Sequence, residues 1–393
     1  MTRPGHRPLV TWFEWAKLTA VIKRLTCCWF LLLLLVGCGE TAVLPTRVSV
    51  ASLPESFITL PATNTPLPGG TAVPILPTFT PPPTGTPPPT LTPTVTGTPP
   101  PTATPNPYKD LTIDALTART YGGGLLQIED TLEETDTFTR YLITYPSDGL
   151  TIYGFMNVPH EGDKFPVALV LHGYIEPNIY KTQDYTTRYA DALAEAGYFV
   201  IHPNFRNYPP SDNGPDAFRT GYAIDVLNLI AILRQQSQDP VGTLRRADAD
   251  HIHLWGHSMG GGIALRVITV NNEPYIRAAV LYGSMSGDEK RNYDRIRYWS
   301  GGGRGQFELA APPELMGLIS PINYLDRVTT PIAVHHSVAD DVVPVAWSQE
   351  LCDLLEAGGH EHECYFYEAQ PHTFHGYADD LFMERVVLFF RSH

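Results

Sequence analysis

Gly256-His257-Ser258-Met259-Gly260 sets a serine between two glycines, in the pattern G-x-S-x-G. A serine hydroxyl becomes a useful nucleophile only when a nearby base takes its proton. The flanking glycines permit a tight turn and close approach of a following helix. Three common residues carry weight only in context, and here the context agrees. The run His251–Trp255 before them reads as a strand, and Ile263, Leu265 and Ile268 behind them stripe a helix. Strand, turn and helix in that order form a nucleophile elbow, which lifts the serine above a sheet. The chemistry this suggests is acyl transfer through a covalent acyl-enzyme.

Such a serine needs an orienting acid and a base, which should follow it in that chain order. Asp340 and Asp341 lie just past the apolar strand Ile332–His336 and are both candidates for the acid. His372 and His375, in the loop 370–376, are both candidates for the base. The tetrahedral intermediate needs two donors for its oxyanion. One is the backbone N–H of Met259, next to the nucleophile. The other should come from His172-Gly173-Tyr174, after the apolar run Val167–Leu171, with the N–H of Tyr174 as the candidate. His172 reads as a residue that orders this loop.

These residues require a sheet to hold them. Eight strands are expected, at Phe138–Tyr145, Leu150–Gly154, Val167–Leu171, Phe199–His202, His251–Trp255, Ala278–Tyr282, Ile332–His336 and Cys364–Tyr367. The first two flank Pro146-Ser-Asp-Gly149 and read as an antiparallel hairpin. Helical stripes fall between the others, at 184–196, 219–234, 344–357 and around Phe382, Val386, Phe389 and Phe390. Such alternation predicts an α/β fold, a mostly parallel eight-stranded sheet with helices on both faces. No internal repeat is visible, which argues against a solenoid or propeller.

Together these segments resemble the α/β-hydrolase superfamily, and within it the catalytic domain of the prolyl oligopeptidase and dienelactone-hydrolase-like group. The resemblance spans nearly all of 138–393. It rests on Tyr145–Gly154, Leu171-His-Gly-Tyr174, Asn204-Phe-Arg206, the Ser258 elbow, Ser320-Pro321, Asp340-Asp-Val-Val-Pro344 and His372-Thr-Phe374. It implies a Ser258, Asp340 and His372 triad. It also implies that the Tyr174 hydroxyl assists the oxyanion. Those peptidases carry a large propeller before the catalytic domain, whereas here only 108–137 precede the hairpin.

Residues 284–330 form a long connection between two core strands and suggest a lid. The arginines and aromatics from Arg291 to Trp299 could meet an anionic or aromatic substrate, but a solvated surface helix is the simpler expectation. His360-Glu361-His362 follows a Gly-Gly helix stop and reads as an exposed turn, so no metal is expected there. No Walker loop or dinucleotide fingerprint is present, so no cofactor is implied.

The rest of the chain looks unlike this domain. Of 37 prolines in 393 residues, 21 lie in 1–107. Between Pro61 and Pro107 there are 17 Pro and 14 Thr, with no charged residue. Such a stretch has little to bury and few backbone donors, and reads as a disordered, semi-rigid Thr/Pro linker over 38–107. Before it, a basic leader and an apolar run from Cys27 to Val36 fit an export signal over 1–37. Leu35-Val36-Gly37-Cys38 resembles the bacterial lipoprotein cleavage box, which implies lipidation of Cys38 and a membrane-anchored, extracytoplasmic protein. In that compartment Cys352 and Cys364 are free to form a disulfide. Residues 108–393 hold 21 Lys and Arg against 38 Asp and Glu, a balance that argues against a nucleic-acid partner. The functional expectation is a serine hydrolase of carboxylic esters. Two alternatives are a peptidase of short peptides and an inactive hydrolase fold serving as a surface binding module.

Overall fold

In the computed structural model, residues 106–393 are described. The expected signal, Cys38 and the linker lie outside the described residues, save Asn106 and Pro107.

The eight expected strands are all found, and the sheet gains a ninth. In chain order the strands are β1 (Gln127–Glu134), β2 (Phe138–Ser147), β3 (Leu150–Pro159), β4 (Phe165–Leu171), β5 (Phe199–Pro203), β6 (Ala247–His257), β7 (Ile276–Tyr282), β8 (Ile332–Ser337) and β9 (His362–Tyr367). Their spatial order is β1-β2-β3-β5-β4-β6-β7-β8-β9. From β1 to β5 the pairing is antiparallel, and from β5 through β4 to β9 it is parallel. The ninth strand is β1, at one edge. Its sequence is Gln-Ile-Glu-Asp-Thr-Leu-Glu-Glu, exposed at every position but Leu132. Charges suit an edge strand, where they discourage pairing with another chain, but they hide it from a search for apolar runs.

The helices are α1 (Ile113–Thr117), α2 (Thr187–Glu195), α3 (Thr220–Gln236), α4 (Met259–Val270), α5 (Glu289–Trp299), α6 (Gln306–Leu309), α7 (Pro313–Ile319), α8 (Val345–Gly358) and α9 (Tyr377–Ser392). Alternation along each central strand sorts the core into two layers. On β4, Val167, Leu169 and Leu171 face one layer with α3, α4 and α8. Ala168 and Val170 face the other, with α2 and α9. The parallel strands are therefore buried on both sides, which is why they read as continuous apolar runs.

Cys352 on α8 and Cys364 on β9 are joined by a disulfide. The 284–330 connection folds as α5, α6, α7 and a 3-10 stretch, Pro321–Arg327. It is less solvated than expected. Glu289, Asn292 and Tyr293 of α5 are buried, and the Glu289 carboxylate is held between the Arg219 and Arg266 guanidiniums. Among the described residues no helix is long and apolar enough to cross a membrane.

Candidate active site

Ser258 sits between the end of β6 and the start of α4, with φ 56° and ψ −114°. That backbone costs an L-residue roughly 1–3 kcal/mol, so its surroundings must enforce it. They do so at close range. A Cβ on Gly256 would lie 2.4 Å from the Gly260 carbonyl oxygen, and one on Gly260 would lie 2.0 Å from that of Leu171. The Ser258 N–H donates to the Tyr282 carbonyl at 2.8 Å, and the Ser258 carbonyl accepts from Met285 at 3.0 Å. The turn is thus clamped between its own helix, β4 and the loop after β7. Ser258 itself is buried, at 9% exposure.

The structure separates the two candidate acids. Asp340 turns inward, with a side chain 1% exposed, while Asp341 is exposed. Asp340 Oδ1 accepts the backbone N–H groups of Val342 and Val343, both at 2.9 Å. Its Oδ2 accepts from His372 Nδ1 at 2.7 Å and lies 3.1 Å from His336 Nε2. Burial pushes this carboxyl's pKa up, but the bonds from His336 and His372 outweigh burial and hold it well below the usual carboxylate range. Asp340 therefore keeps its charge further into acid than an ordinary aspartate does.

The two candidate bases also part. His372 pairs with Asp340, whereas the His375 side chain is exposed. Three contacts pin the loop that carries His372. Ser337 Oγ donates to the Gln370 carbonyl, His257 Nε2 to the His372 carbonyl at 3.1 Å, and the Phe374 N–H to the Tyr282 hydroxyl. Gly283 (φ 50°) passes directly beneath. A Cβ there would lie 3.2 Å from His372 Cε1 and 3.6 Å from Asp340 Oδ2, so only glycine lets the backbone run so close to the pair. Among the described residues no hydrogen bond joins Ser258 to His372, whose Nε2 is left without a partner. Catalytic hydrogen bonds of this kind often tighten only around a substrate.

The Met259 N–H opens α4 and has no acceptor within the helix. On the loop after β4, the Gly173 N–H is taken by the Tyr185 hydroxyl at 2.9 Å. The Tyr174 N–H is the donor of that loop left for an oxyanion. The Tyr174 hydroxyl is directed elsewhere: it donates to Glu176 and accepts from Arg304. The phenol is therefore committed to a surface ion pair, contrary to what the resemblance implied. Both ring nitrogens of the buried His172 face backbone carbonyls, of Gly173 at 2.7 Å and Asn204 at 2.9 Å, which fits its loop-ordering role.

Reading the sequence alone missed three partners. His336 was seen only as a strand residue, yet it touches the acid. Its Nδ1 lies 2.7 Å from Ser348 Oγ, so a Ser348 donation leaves the proton on Nε2, toward Asp340. His257 and Tyr185 join the loops on either side of Ser258. Nothing in their spacing distinguishes them, because their partners come from four separate elements.

Residues 166–350 match the family model described as the alpha/beta hydrolase fold. The chain is similar in structure to acetyl xylan esterase 1 from Thermoanaerobacterium sp. JW/SL YS485, with a TM-score of 0.53 and 17% identity over 72% of this chain and 94% of that one. It is similar also to a puromycin-hydrolyzing peptidase from Mycobacterium tuberculosis, with a TM-score of 0.52 and 18% identity over 66% of this chain and 40% of that one. An acylaminoacyl peptidase from Pyrococcus horikoshii gives 0.51 and 21%, over 66% and 42%. The chain thus spans less than half of either peptidase and nearly all of the esterase. At these identities the likeness establishes the fold. The chain therefore has the α/β-hydrolase fold and, with an elbow serine on it, is a serine hydrolase.

Proposed function

We propose that the chain hydrolyses carboxylic esters through Ser258, His372 and Asp340. The observation that carries this reading is the buried Asp340–His372 bond of 2.7 Å, set beside the strained Ser258 turn. His372 Nε2 takes the Ser258 proton as Oγ attacks the ester carbonyl carbon. The N–H groups of Met259 and Tyr174 hold the resulting oxyanion. The tetrahedral intermediate collapses, the ester C–O bond breaks, and His372 returns the proton to the leaving alcohol. Water then attacks the acyl-enzyme with the same histidine as base, releasing acid and restoring Ser258. Asp340 holds the imidazole in the tautomer with its proton on Nδ1.

What supports an ester over a peptide bond is the likeness to the acetyl xylan esterase. The chain covers 94% of that esterase, against 40% and 42% of the two peptidases. The reading includes export and lipidation at Cys38, which would hold the enzyme outside the cytoplasm on a Thr/Pro tether.

The test is a fluorophosphonate probe with a panel of p-nitrophenyl acyl esters and peptide amides. Wild type should label and Ser258→Ala should not, and esters should turn over far faster than amides. No labelling of wild type would favour the binding-module alternative, and equal amide turnover would favour the peptidase. Mass spectrometry of the mature N-terminus checks the anchor. An unmodified Cys38, or retained residues before it, rejects lipidation.

A further inference from the structure

We propose that Tyr185 and His257 are positioning residues, forming a hydrogen-bonded strut of fixed polarity that sets the oxyanion loop and the His372 loop relative to Ser258. The proposal rests on the serine-hydrolase reading above.

The polarity follows from the partners. His257 Nε2 lies 3.1 Å from the His372 carbonyl oxygen, which can only accept, so Nε2 carries a proton. The ring is buried, at 2% exposure, and burial, then the neighbouring His372, pushes its pKa well below the ordinary value. It is neutral, and Nδ1 is a bare acceptor. The Tyr185 hydroxyl, 2.6 Å from Nδ1, must therefore donate to it. That leaves the phenol oxygen to accept from the Gly173 N–H at 2.9 Å. Each link has one possible direction: Gly173 N–H to Tyr185 oxygen, Tyr185 O–H to His257 Nδ1, and His257 Nε2–H to the His372 carbonyl.

The ends of the strut are the two parts of the site that must be placed to a fraction of an ångström. Gly173 adjoins Tyr174, whose N–H is the proposed oxyanion donor. His372 is the proposed base, and its ring lies 4.6 Å from that of His257, centroid to centroid. Between them His257 precedes the nucleophile. A Cβ on Gly173 would lie 3.1 Å from Ser258 Cβ, 3.3 Å from His257 Nδ1 and 2.5 Å from the Tyr185 hydroxyl, so the strut and the nucleophile converge there. A neutral His257 also avoids placing a second cation beside the imidazolium that His372 becomes during the reaction. Neither residue touches the reacting atoms in this scheme.

The test uses Tyr185→Phe, which removes one oxygen, together with His257→Phe, His257→Gln and the Tyr185→Phe/His257→Phe double variant. Displacing catalytic groups by fractions of an ångström costs about 10- to 100-fold in rate. For Tyr185→Phe we expect kcat on a p-nitrophenyl ester to fall by that factor, KM to stay within about twofold, and the fluorophosphonate labelling rate to fall in parallel. The double variant should be no worse than the poorer single variant, because both cut one strut. His257→Gln should recover part of the loss, since its amide can donate to His372 and accept from Tyr185. If His257→Phe fails to fold, Tyr185→Phe and His257→Gln carry the test. A Tyr185→Phe kcat within twofold of wild type, or losses that multiply in the double variant, overturns the strut. Failure of the parent reading looks different, since wild type itself would then neither label nor turn over.

Discussion

The charge on Asp340 can be removed without changing its shape, by Asp340→Asn. The structure dictates which way the new amide points. Oδ1 accepts two backbone N–H groups, from Val342 and Val343. An amide nitrogen there would set donor against donor twice, so the asparagine keeps its oxygen at that position. Its NH2 then occupies the Oδ2 site, facing His372 Nδ1 and His336 Nε2. His372 must answer with a bare Nδ1, which moves its proton to Nε2, where the Ser258 proton would have to go. The wrong tautomer costs triads of this kind about 10⁴ in kcat, or roughly 5 kcal/mol at 1.36 kcal/mol per tenfold. His336 suffers as well. With Nε2 made an acceptor, it faces the Val343 carbonyl at 3.0 Å with no proton between them. That mismatch should lower stability by about 1–3 kcal/mol. The assay is kcat/KM on a p-nitrophenyl ester, with fluorophosphonate labelling and a thermal melt on the same samples. Asp341→Asn is the control. Its side chain is exposed, and only its backbone carbonyl is used, by Arg295, so activity should stay within about threefold. A loss below about 10-fold for Asp340→Asn, or a larger loss at Asp341, refutes the assignment of the acid.

Tyr174→Phe should leave kcat within about threefold, because the backbone N–H survives and the phenol is already bound to Glu176 and Arg304. A fall of 10²–10³, the value of one oxyanion donor, would show that the hydroxyl does assist. The Cys352→Ala/Cys364→Ala pair opens a bridge between residues twelve apart and should lower unfolding free energy by about 3 kcal/mol in denaturant titrations. An unchanged midpoint would contradict it. Acid should destabilise the fold through buried neutral histidines. Burial pushes His253 down to about 4 and His335 to about 3, from an unfolded value near 6.5. Between those values the unfolded chain binds protons that the folded one refuses, so stability falls as pH drops below about 6.5, by roughly 3 kcal/mol for His253 alone once pH reaches about 4. The readout is unfolding free energy against pH, and a flat profile from 7 to 4.5 would count against the neutral assignment. His253→Gln should flatten part of the slope.

What was legible in the sequence followed from how each feature is encoded. The central strands show themselves because burial on both faces demands unbroken apolar runs, as in Val167–Leu171 and Ala278–Tyr282. The elbow is readable because its glycines are adjacent in the chain. The strand β1 was not, since its stability comes from pairing with β2 along one edge while its side chains stay in water. The same distinction divides the site. Asp340 and His372 lie in short loops after strands, where position along the chain narrows the choice to two. Asp340 differs from Asp341 only in the assembled fold, where its carboxylate turns toward β8 and the His372 loop. His336, Tyr185 and His257 have no chain neighbour in common with the groups they bond, so their roles exist only once the sheet is assembled.

The 284–330 connection was expected as a lid over the site, and its contacts give it a second role. Arg295 on α5 donates to the Asp341 and Val342 carbonyls at 3.0 Å each, beside the turn that shapes Asp340. Its guanidinium stacks over Trp299 and Tyr298, whose rings are otherwise open to solvent. Arg304, past the end of the same helix, reaches Tyr174 and Glu176 on the oxyanion loop. Arg291 pairs with Glu350 on α8. Three arginines of one insertion therefore hold the acid loop, the oxyanion loop and a flanking helix. An element joined to the loops of Asp340 and Tyr174 cannot swing freely while they stay still. Motion of the segment around Arg304 would tug the loop that bears the Tyr174 N–H, and motion of α5 would release backbone carbonyls next to the acid. The exposed aromatics of α5 are thereby tied, through Arg295 and Arg304, to the loops that carry Asp340 and Tyr174.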